Sequence, residues 1–541
     1  MNTLPKRVPV LGMVLASLVP WASAQVEVSK LTPGGAAGDH FGRAVTIDGT
    51  GILIGAPKSG LSAADGGAAY VYEFAPTGWV QSAVLLPGEA GPGDQFGWSV
   101  ALEGDTALVG SWLDDDDSYV DSGAVYVFER GTLGWAPAAK LTASDRGSFD
   151  RFGSAVALAG DTAVVGAMYH IGGGQFGGAV YVFERTPAGW VQTAKVTPSD
   201  GVAGDTFGAS LALSGDTLVV GSPAADDALP MVSWCNSGAF YIYDRTPSGW
   251  VESAKFTAVD GWCNDRYSYS VAIEDDTVFV AARGFAAFGG NAAGKVYVYQ
   301  RVGGGWSQVQ ELLASDGAPL AQFGTSVALD QDRALIGADA DPALGSDAGS
   351  AYLFERQAGS WVELAKLTAS DGGAAHRFGE AVDLDGGRLV AGAIPDQQPG
   401  AVYVFAAGNL TGSPAALSLS TGGVQQLEIE AGAACAALDY IVLGSKSGTS
   451  PGLPLDGLLL PLNVDGYTLA TLMEPNRPPL GNTYGLLDAG GRATATITVP
   501  TGLPAGLAGL TLHHAFAVVE LLPALLHVVH VSNAVPLTLT P

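Results

Sequence analysis

Residues 152–195 read FGSAVALAGDTAVVGAMYHIGGGQFGGAVYVFERTPAGWVQTAK. This stretch predicts four short strands joined by turns rich in Gly, Asp and Pro. In the third predicted strand, Val180 and Val182 point to one side of the sheet, whereas Tyr181 and Phe183 point to the other. Because both faces are apolar, the small sheet must be covered on both sides by neighbours. The predicted strands are residues 154–158, 163–166, 178–183 and 190–195.

This unit recurs at a nearly constant period along most of the chain. Its clearest marker is a Phe-Gly pair, and successive markers are 55, 56, 55, 60, 56 and 55 residues apart, which gives seven copies. A conserved spacing of Trp residues repeats the same period. Repeats of this length predict a propeller or a solenoid. The marker pairs begin at Phe41, Phe96, Phe152, Phe207, Tyr267 (a diverged Tyr-Ser copy), Phe323 and Phe378, and the Trp residues are Trp79, Trp135, Trp190, Trp250, Trp306 and Trp361.

The seven copies resemble FG-GAP repeats, which are best known from the β-propeller heads of integrin α chains. Phe41-Gly42 with Gly55-Ala56-Pro57 spells the repeat name in full. The resemblance covers about residues 26 to 406 and implies a seven-bladed β-propeller. Integrin-type repeats often bind calcium through an Asp-rich loop between the first and second strands. No copy here keeps enough Asp residues in that loop, so this calcium site is not carried over.

The ends of the repeat region predict how the ring closes. The last copy has no fourth strand after Phe405, whereas residues 26–32 match the end of a fourth strand. We therefore predict that residues 26–32 complete blade seven of a propeller spanning residues 25–407. After Gly408 the period stops, and residues 408–541 alternate apolar runs with turns. The predicted fold class is all-β: a seven-bladed propeller followed by a C-terminal immunoglobulin-like β-sandwich.

Residues 1–24 predict a signal peptide. Lys6 and Arg7 form a basic start, an apolar run follows, and Ala22-Ser23-Ala24 is a small-residue cleavage site. The predicted location is outside the cytoplasm: extracellular, on the cell surface or periplasmic. No later segment predicts a membrane span, so an integral membrane protein is not expected. The 25 Lys and Arg against 53 Asp and Glu argue against a nucleic-acid partner.

Strand order also sorts the loops between two faces of the predicted ring. The loops between second and third strands share one face with the connections between blades, and we call this the variable face because its loops differ from copy to copy. Variable loops on a rigid scaffold are where binding sites are usually built. Aromatic residues in these loops could stack on sugars or anchor a protein partner, although packing of blade edges is the alternative. The candidate ligand-binding residues are Trp112, Tyr169, Trp234, Trp262 and Phe285.

Two further groups of residues on the variable face, an acidic run and a pair of cysteines, predict specific interactions. Asp114, Asp115, Asp116 and Asp117, with Asp121, favour a solvated acidic loop, and a weak divalent-cation site for calcium is the alternative. No other cofactor is predicted. Cys235 and Cys263 occur in similar Trp-Cys-Asn contexts on this face, and in an exported protein they predict a disulfide.

The sequence contains no catalytic constellation. None of the seven His residues has zinc-site spacing, and no acid/base pair stands out. The predicted function is therefore that of an exported, non-catalytic binding or adhesion protein whose propeller face recognises a protein or a glycan. The alternatives are a secreted polysaccharide- or ester-processing enzyme with its site on the propeller face, or a structural protein of the cell envelope.

Overall fold

A computed structural model gives the fold of the chain. It describes residues 25–34, 36, 38–75, 78–116, 118–172, 175–226, 235–284, 286–287, 291–395, 398–407, 409–413, 416–430, 438–446, 453–455, 458–460, 466–473, 475–476, 480–487, 492–501, 504, 507–522, 525–531 and 535–540. The predicted signal peptide, residues 1–24, lies outside the described residues. Among the helices of the described part, none is both long enough and apolar enough to cross a bilayer.

Seven antiparallel four-stranded sheets form the repeat region and confirm the propeller. In chain order the strands are β1 (Gln25–Leu31); β2 (Ala44–Asp48), β3 (Gly51–Ala56), β4 (Ala68–Ala75), β5 (Gly78–Leu85); β6 (Phe96–Glu103), β7 (Thr106–Ser111), β8 (Ala124–Gly131), β9 (Gly134–Leu141); β10 (Phe152–Ala159), β11 (Thr162–Ala167), β12 (Ile171–Gly172), β13 (Gln175–Phe176), β14 (Ala179–Thr186), β15 (Gly189–Val196); β16 (Ser210–Ser214), β17 (Thr217–Ser222), β18 (Ala239–Thr246), β19 (Gly249–Thr257); β20 (Tyr267–Glu274), β21 (Thr277–Ala282), β22 (Ala286–Ala287), β23 (Asn291–Ala292), β24 (Lys295–Val302), β25 (Gly305–Leu312); β26 (Val327–Asp330), β27 (Arg333–Ala338), β28 (Ser350–Gln357), β29 (Ser360–Leu367); β30 (Val382–Asp385), β31 (Arg388–Ala393) and β32 (Ala401–Ala407). The small pairs β12–β13 and β22–β23 lie in second-to-third loops.

The packing of the third strand against two neighbouring blades explains why both of its faces are apolar. In β14, Tyr181 and Phe183 pack in a cluster that includes residues of blade two, whereas Val180 and Val182 pack in a cluster that includes residues of blade four. Phe152 of the marker pair contacts Tyr181 edge-on, with ring centroids 5.6 Å apart. Each sheet therefore buries both faces between its neighbours, as the alternation predicts.

The marker Phe also joins neighbouring blades through the backbone. Gly123, just before β8, forms a parallel bridge to Phe152 of the next blade. Among the described residues, six of the seven blade contacts have this bridge, and the one between Gly400 and Phe41 joins blade seven to blade one. The Phe-Gly marker is thus a packing and docking element, which explains why it recurs in six of the seven copies.

Strand β1 closes the ring as the sequence predicts. It pairs antiparallel with β32, so the sheet order of blade seven is β1, β32, β31, β30. Leu31 is buried in a cluster shared by blades one and seven. The Lys30 ammonium lies 2.5 Å from the Asp371 carboxylate, and the Glu27 carboxylate accepts hydrogen bonds from the backbone and hydroxyl of Ser370. The outer strand of blade seven therefore comes from the other end of the repeat region.

Asp383 of β30 supports the same closure near the axis. Its carboxylate accepts a hydrogen bond from the backbone N–H of Ile47 in β2, at 2.9 Å. Burial raises the pKa of the Asp383 carboxyl to about 6, with a smaller contribution from the charge of Asp385, although hydrogen bonds from Ile47, Thr46 and Leu384 oppose the shift. Near neutral pH the folded ring therefore holds a partly buried carboxylate at a cost.

We expect Asp383→Asn to stabilise the propeller at neutral and alkaline pH, by roughly 1 to 3 kcal/mol. A carboxyl whose pKa is raised on folding contributes stability at low pH, and this contribution is lost as the pH rises through about 6. The advantage of the variant should therefore fade in mildly acidic buffer. Urea unfolding across this pH range measures it, with Asp216→Asn in an exposed turn as the control. A difference that does not change with pH would contradict this assignment.

The second region is a β-sandwich with one short helix among the described residues. One sheet has the order β33, β35, β41, β39, and a larger sheet contains β34, β44, β42, β36 and β40, with β43 beside β42. Leu427 and Ile497 of the first sheet share a buried cluster with Val442 and Phe516 of the second. The elements are β33 (Asn409–Ser413), β34 (Ala416–Ser418), β35 (Gly423–Glu430), β36 (Asp439–Ser445), β37 (Leu453–Leu455), β38 (Leu458–Leu460), α1 (Gly466–Met473), β39 (Leu480–Gly481), β40 (Tyr484–Leu486), β41 (Arg492–Val499), β42 (Thr511–Leu522), β43 (Leu525–Val531) and β44 (Val535–Thr540).

A disulfide joins Cys235, in the loop before β18, to Cys263, in the connection to β20. The two residues are 28 positions apart, and their Cα atoms are 4.5 Å apart. In the loop-entropy account, a cross-link of this span stabilises the fold by roughly 3 to 4 kcal/mol. It ties the variable-face loop of blade four to the connection that leads into the diverged fifth blade.

Candidate functional site

A cavity of about 530 Å³ lies on the axis, where the first strands of all seven blades converge. Each blade contributes the residue that follows its marker pair. These residues differ in every copy, although the pair itself recurs. They are Arg43, Trp98, Ser154, Ala209, Tyr269, Thr325 and Glu380. The cavity therefore combines a repeated frame with a non-repeated lining.

We call the end of this cavity on the variable face the axial mouth; it comprises Arg43, Trp98, Trp112, Arg151, Tyr169, Arg266, Tyr269, Arg283, Asp339 and Glu380. Its main feature is a continuous stack of side chains. The Arg43 guanidinium lies 4.3 Å from the centre of the Trp98 ring. Trp98 in turn stacks on Trp112, with centroids 4.0 Å apart and planes 14° apart. Arg151 follows, at 4.5 Å from Trp112 and 4.8 Å from Tyr169.

This stack crosses three blades, so the ring geometry is what assembles it. Arg43 lies just before β2, Trp98 lies in β6, and Tyr169 follows β11. The indole N–H of Trp112 also donates to the side-chain oxygen of Gln95, at 3.1 Å. Contacts between a guanidinium and an aromatic face are worth about 0.5 to 2 kcal/mol each, depending on how far water is excluded. The stack therefore fixes the guanidinium of Arg151 between two rings.

The rest of the mouth, from blades five to seven, carries a second such contact and two carboxyl groups. Arg283 lies 3.7 Å from the centre of the Tyr269 ring. Asp339 is buried and accepts a hydrogen bond from the Thr325 hydroxyl at 2.6 Å. Burial raises the pKa of Asp339, and the charge of Glu380 raises it further. The Thr325 hydrogen bond and the charges of Arg283 and Arg377 oppose these effects.

The structure brings together only part of the predicted aromatic set. Trp112 and Tyr169 meet at the axial mouth, joined by Arg151. Trp262 does not line the cavity; it lies beside Cys263, and the residue is 58% exposed. Trp234 and Phe285 lie outside the described residues. Because Trp98 and Arg151 cover Trp112, this ring is positioned to hold a guanidinium rather than to offer an open face to a sugar.

Asp114 is not part of a solvated acidic loop, so that prediction was wrong for this residue. Its carboxylate is buried, pairs with Lys140 at 2.8 Å and accepts a hydrogen bond from the Tyr126 hydroxyl at 2.7 Å. Burial raises the pKa of Asp114, although the Lys140 and Tyr126 hydrogen bonds act against the shift. Four residues after the second-strand Gly, where blade two has Asp114, blade three has His170 and blade six has Asp341. The position is structural in several blades.

The other acidic residues of this loop point to different partners. Asp115 accepts a hydrogen bond from the backbone of Asp121, and Asp116 accepts two from Ser118 and Tyr119 and pairs with Arg146 at 3.0 Å. Asp117 lies outside the described residues. Within the described part of the chain, no group of three or more His, Cys, Asp or Glu is arranged to hold a metal ion. Calcium binding by this loop stays a prediction.

Sequence reasoning missed Arg43, Trp98, Arg151, Arg266 and Arg283 as site residues. The signal that could have found them is positional. Residues directly beside a repeated docking pair must face the same region of the ring, so variation there marks the axial lining. Arg43 and Trp98 follow their marker pairs, whereas Arg151 and Arg266 precede theirs.

Fold and site together define a seven-bladed β-propeller with a polar axial cavity. The chain belongs to the FG-GAP repeat family. The family matches residues 26–72, 79–128, 135–183, 190–243, 250–299, 306–354 and 361–405, one segment for each copy.

Other comparisons add little about function. No curated protein matches the chain. Among solved structures, the chain is similar to the crystal structure of the Chaetomium thermophilum Sqt1, with 14% identity over 68% of this chain and 83% of that chain. The TM-score of that match is 0.41.

Proposed function

We propose that the protein is an exported, non-catalytic binding protein whose axial mouth recognises a protein or a glycan outside the cell. The observation that carries the proposal is the side-chain stack from Arg43 to Tyr169. It presents fixed cationic and aromatic groups beside a cavity of about 530 Å³, a size suited to a ligand group. FG-GAP propellers commonly serve binding and adhesion, which supports the same reading.

Export is part of this proposal. Strand β1 begins at Gln25, directly after the predicted cleavage site at Ala24. Cleavage there would leave the closing strand at the new amino terminus. Amino-terminal sequencing of protein recovered from outside the cytoplasm tests this step, and a start beyond Leu31 would contradict it.

The function is tested on arrays of glycans and extracellular proteins, each probed with calcium and with a chelator. We expect the parent to bind a ligand that the variant Trp98→Ala loses. Arg130→Gln, on the opposite end of the ring, should keep binding and serves as the control. If the Trp98→Ala variant still binds the ligand, the recognition site lies outside the axial mouth. If binding requires calcium, the loop around Asp115 and Asp116 is the first candidate for the calcium site.

A secreted enzyme is the second candidate, and one observation favours it. Asp339 is a buried carboxyl with a raised pKa beside the cavity, and the charge of Glu380 acts on it. Two carboxyl groups with different environments are the pattern of glycoside-hydrolysing sites. Turnover of a polysaccharide and ester panel, abolished in Asp339→Asn, would establish this alternative. If the protein has a structural role in the envelope, we expect neither ligand binding on the arrays nor turnover of the substrate panel.

A further inference from the structure

The axial cavity is more positive than the chain as a whole. Its charged lining residues are Arg43, Arg266 and Glu380. Two further guanidiniums, those of Arg151 and Arg283, lie against rings of this lining. Cationic groups therefore outnumber carboxylates here, in a chain that has 25 Lys and Arg against 53 Asp and Glu. Such a local reversal of charge favours an anionic group of a ligand.

A comparison within the molecule shows that these arginines differ from those at the opposite end. There, Arg130 also lies near a ring, at 5.8 Å from Trp135, but it pairs with Glu73 at 2.9 Å and with Asp105 at 2.6 Å. Its hydrogen-bonding capacity is already used by carboxylates of the chain. Within the described residues, the arginines of the axial mouth that form no ion pair with a carboxylate are Arg151, Arg266 and Arg283.

The stack also holds the Arg151 guanidinium in a fixed position, from which it can donate hydrogen bonds to a planar acceptor. Its guanidinium lies 4.5 Å from the Trp112 ring and 4.8 Å from the Tyr169 ring, so it loses little conformational freedom when a ligand binds. A guanidinium presents parallel N–H donors that match a carboxylate in two hydrogen bonds. Arg43 differs from Arg151 in this respect, because its guanidinium already lies 3.5 Å from the carboxylate of Glu380.

The remaining lining favours a hydroxyl-rich molecule over a uniformly acidic one. Asp339 and Glu380 would repel an anionic group placed beside them but can accept hydrogen bonds from hydroxyls, and Thr206 and Asn236 add further polar groups. A cavity of about 530 Å³ has room for one or two sugar rings. An acidic peptide would place several carboxylates against this same acidic side.

We propose that the axial mouth binds a uronic-acid unit of an acidic saccharide. The sugar carboxylate lies toward Arg151, and the sugar hydroxyls lie toward Thr325 and Glu380. This proposal rests on the proposed function, because it names the ligand class of the same site.

Calorimetric titration with digalacturonic acid, and with neutral digalactose as its matched control, tests the proposal on the full chain from Gln25. We expect digalacturonic acid to bind at least about 10-fold more tightly than digalactose at low salt, and added salt to weaken it. Arg151→Gln should lower the affinity about 10-fold or more, and Arg151→Lys should restore part of it. Arg130→Gln should stay within about twofold of the parent.

Thermal unfolding of each variant separates a lost site from a lost fold, and Arg151→Lys keeps the test valid if Arg151→Gln is unstable. Equal binding of the two disaccharides, or no binding of digalacturonic acid, would overturn the proposal. Tighter binding of a hexaglutamate peptide or of a sulfated disaccharide would also overturn it, in favour of that class. If arrays instead yield a neutral ligand that Trp98→Ala loses, the proposed function stands and only this inference fails.

Discussion

A chain that begins at residue 33, without strand β1, is expected to lose the cooperative unfolding of the propeller. The six paired positions of β1 and β32 supply ladder hydrogen bonds worth about 1 kcal/mol each, and burial of Leu31 adds about 2 kcal/mol. Their sum is comparable to the whole stability of a typical domain. Urea unfolding followed by Trp fluorescence should show a broad transition at low urea, where the chain from Gln25 shows a sharp one.

Adding the missing strand back is the decisive control. A synthetic peptide of residues 25–32 should restore the sharp transition in a concentration-dependent way, whereas a scrambled peptide of the same composition should not. Point variants grade the effect: Leu31→Ala should cost about 2 to 4 kcal/mol, and Val84→Ala, on a half-exposed outer strand, well under 1 kcal/mol. An unchanged unfolding midpoint in the shortened chain would mean that the ring is held closed by other contacts.

Ring closure could be predicted from sequence because it depends on a pattern of strands and not on side-chain geometry. The missing fourth strand after Phe405 and the unmatched strand at residues 26–32 complement each other, and seven apolar sheets need a partner on every side. The alternation of Val180 with Tyr181 was equally readable, since strand geometry fixes which side chains share a face. Helix α1 was not predicted, because eight residues among strands give too short a periodic signal.

The axial mouth could not be predicted in the same way. Arg43, Trp98 and Arg151 are each more than 50 positions apart in sequence, and their contact depends on the radius and twist of the assembled ring. Asp114 illustrates the converse error. Within a run of four Asp it looks like a solvated residue, but its place in the repeat buries it against Lys140. Position within the repeat was the better guide than local composition.

The second large effect is a loss of stability that we expect when the bridge between Gly123 and Phe152, which joins two blades, is disturbed. Gly123 has φ +80, a conformation that L side chains rarely adopt, and a Cβ added there would lie 2.0 Å from the carbonyl oxygen of Phe152. Gly123 and Phe152 form the bridge that joins neighbouring blades at six of the seven contacts among the described residues. An alanine at this position must therefore distort its own backbone and separate two blades.

We expect Gly123→Ala to destabilise the propeller by about 4 kcal/mol or more, as the sum of backbone strain and overpacking. Two further glycines separate these causes. Gly134 has φ +101 but open space around its added Cβ, so Gly134→Ala should cost only the strain, about 1 to 2 kcal/mol. Gly88 has neither a positive φ nor a neighbour within 4 Å, and Gly88→Ala should be nearly neutral. Urea unfolding of the three variants gives the series, and equal losses at Gly123 and Gly134 would show that the blades can separate at this bridge without cost.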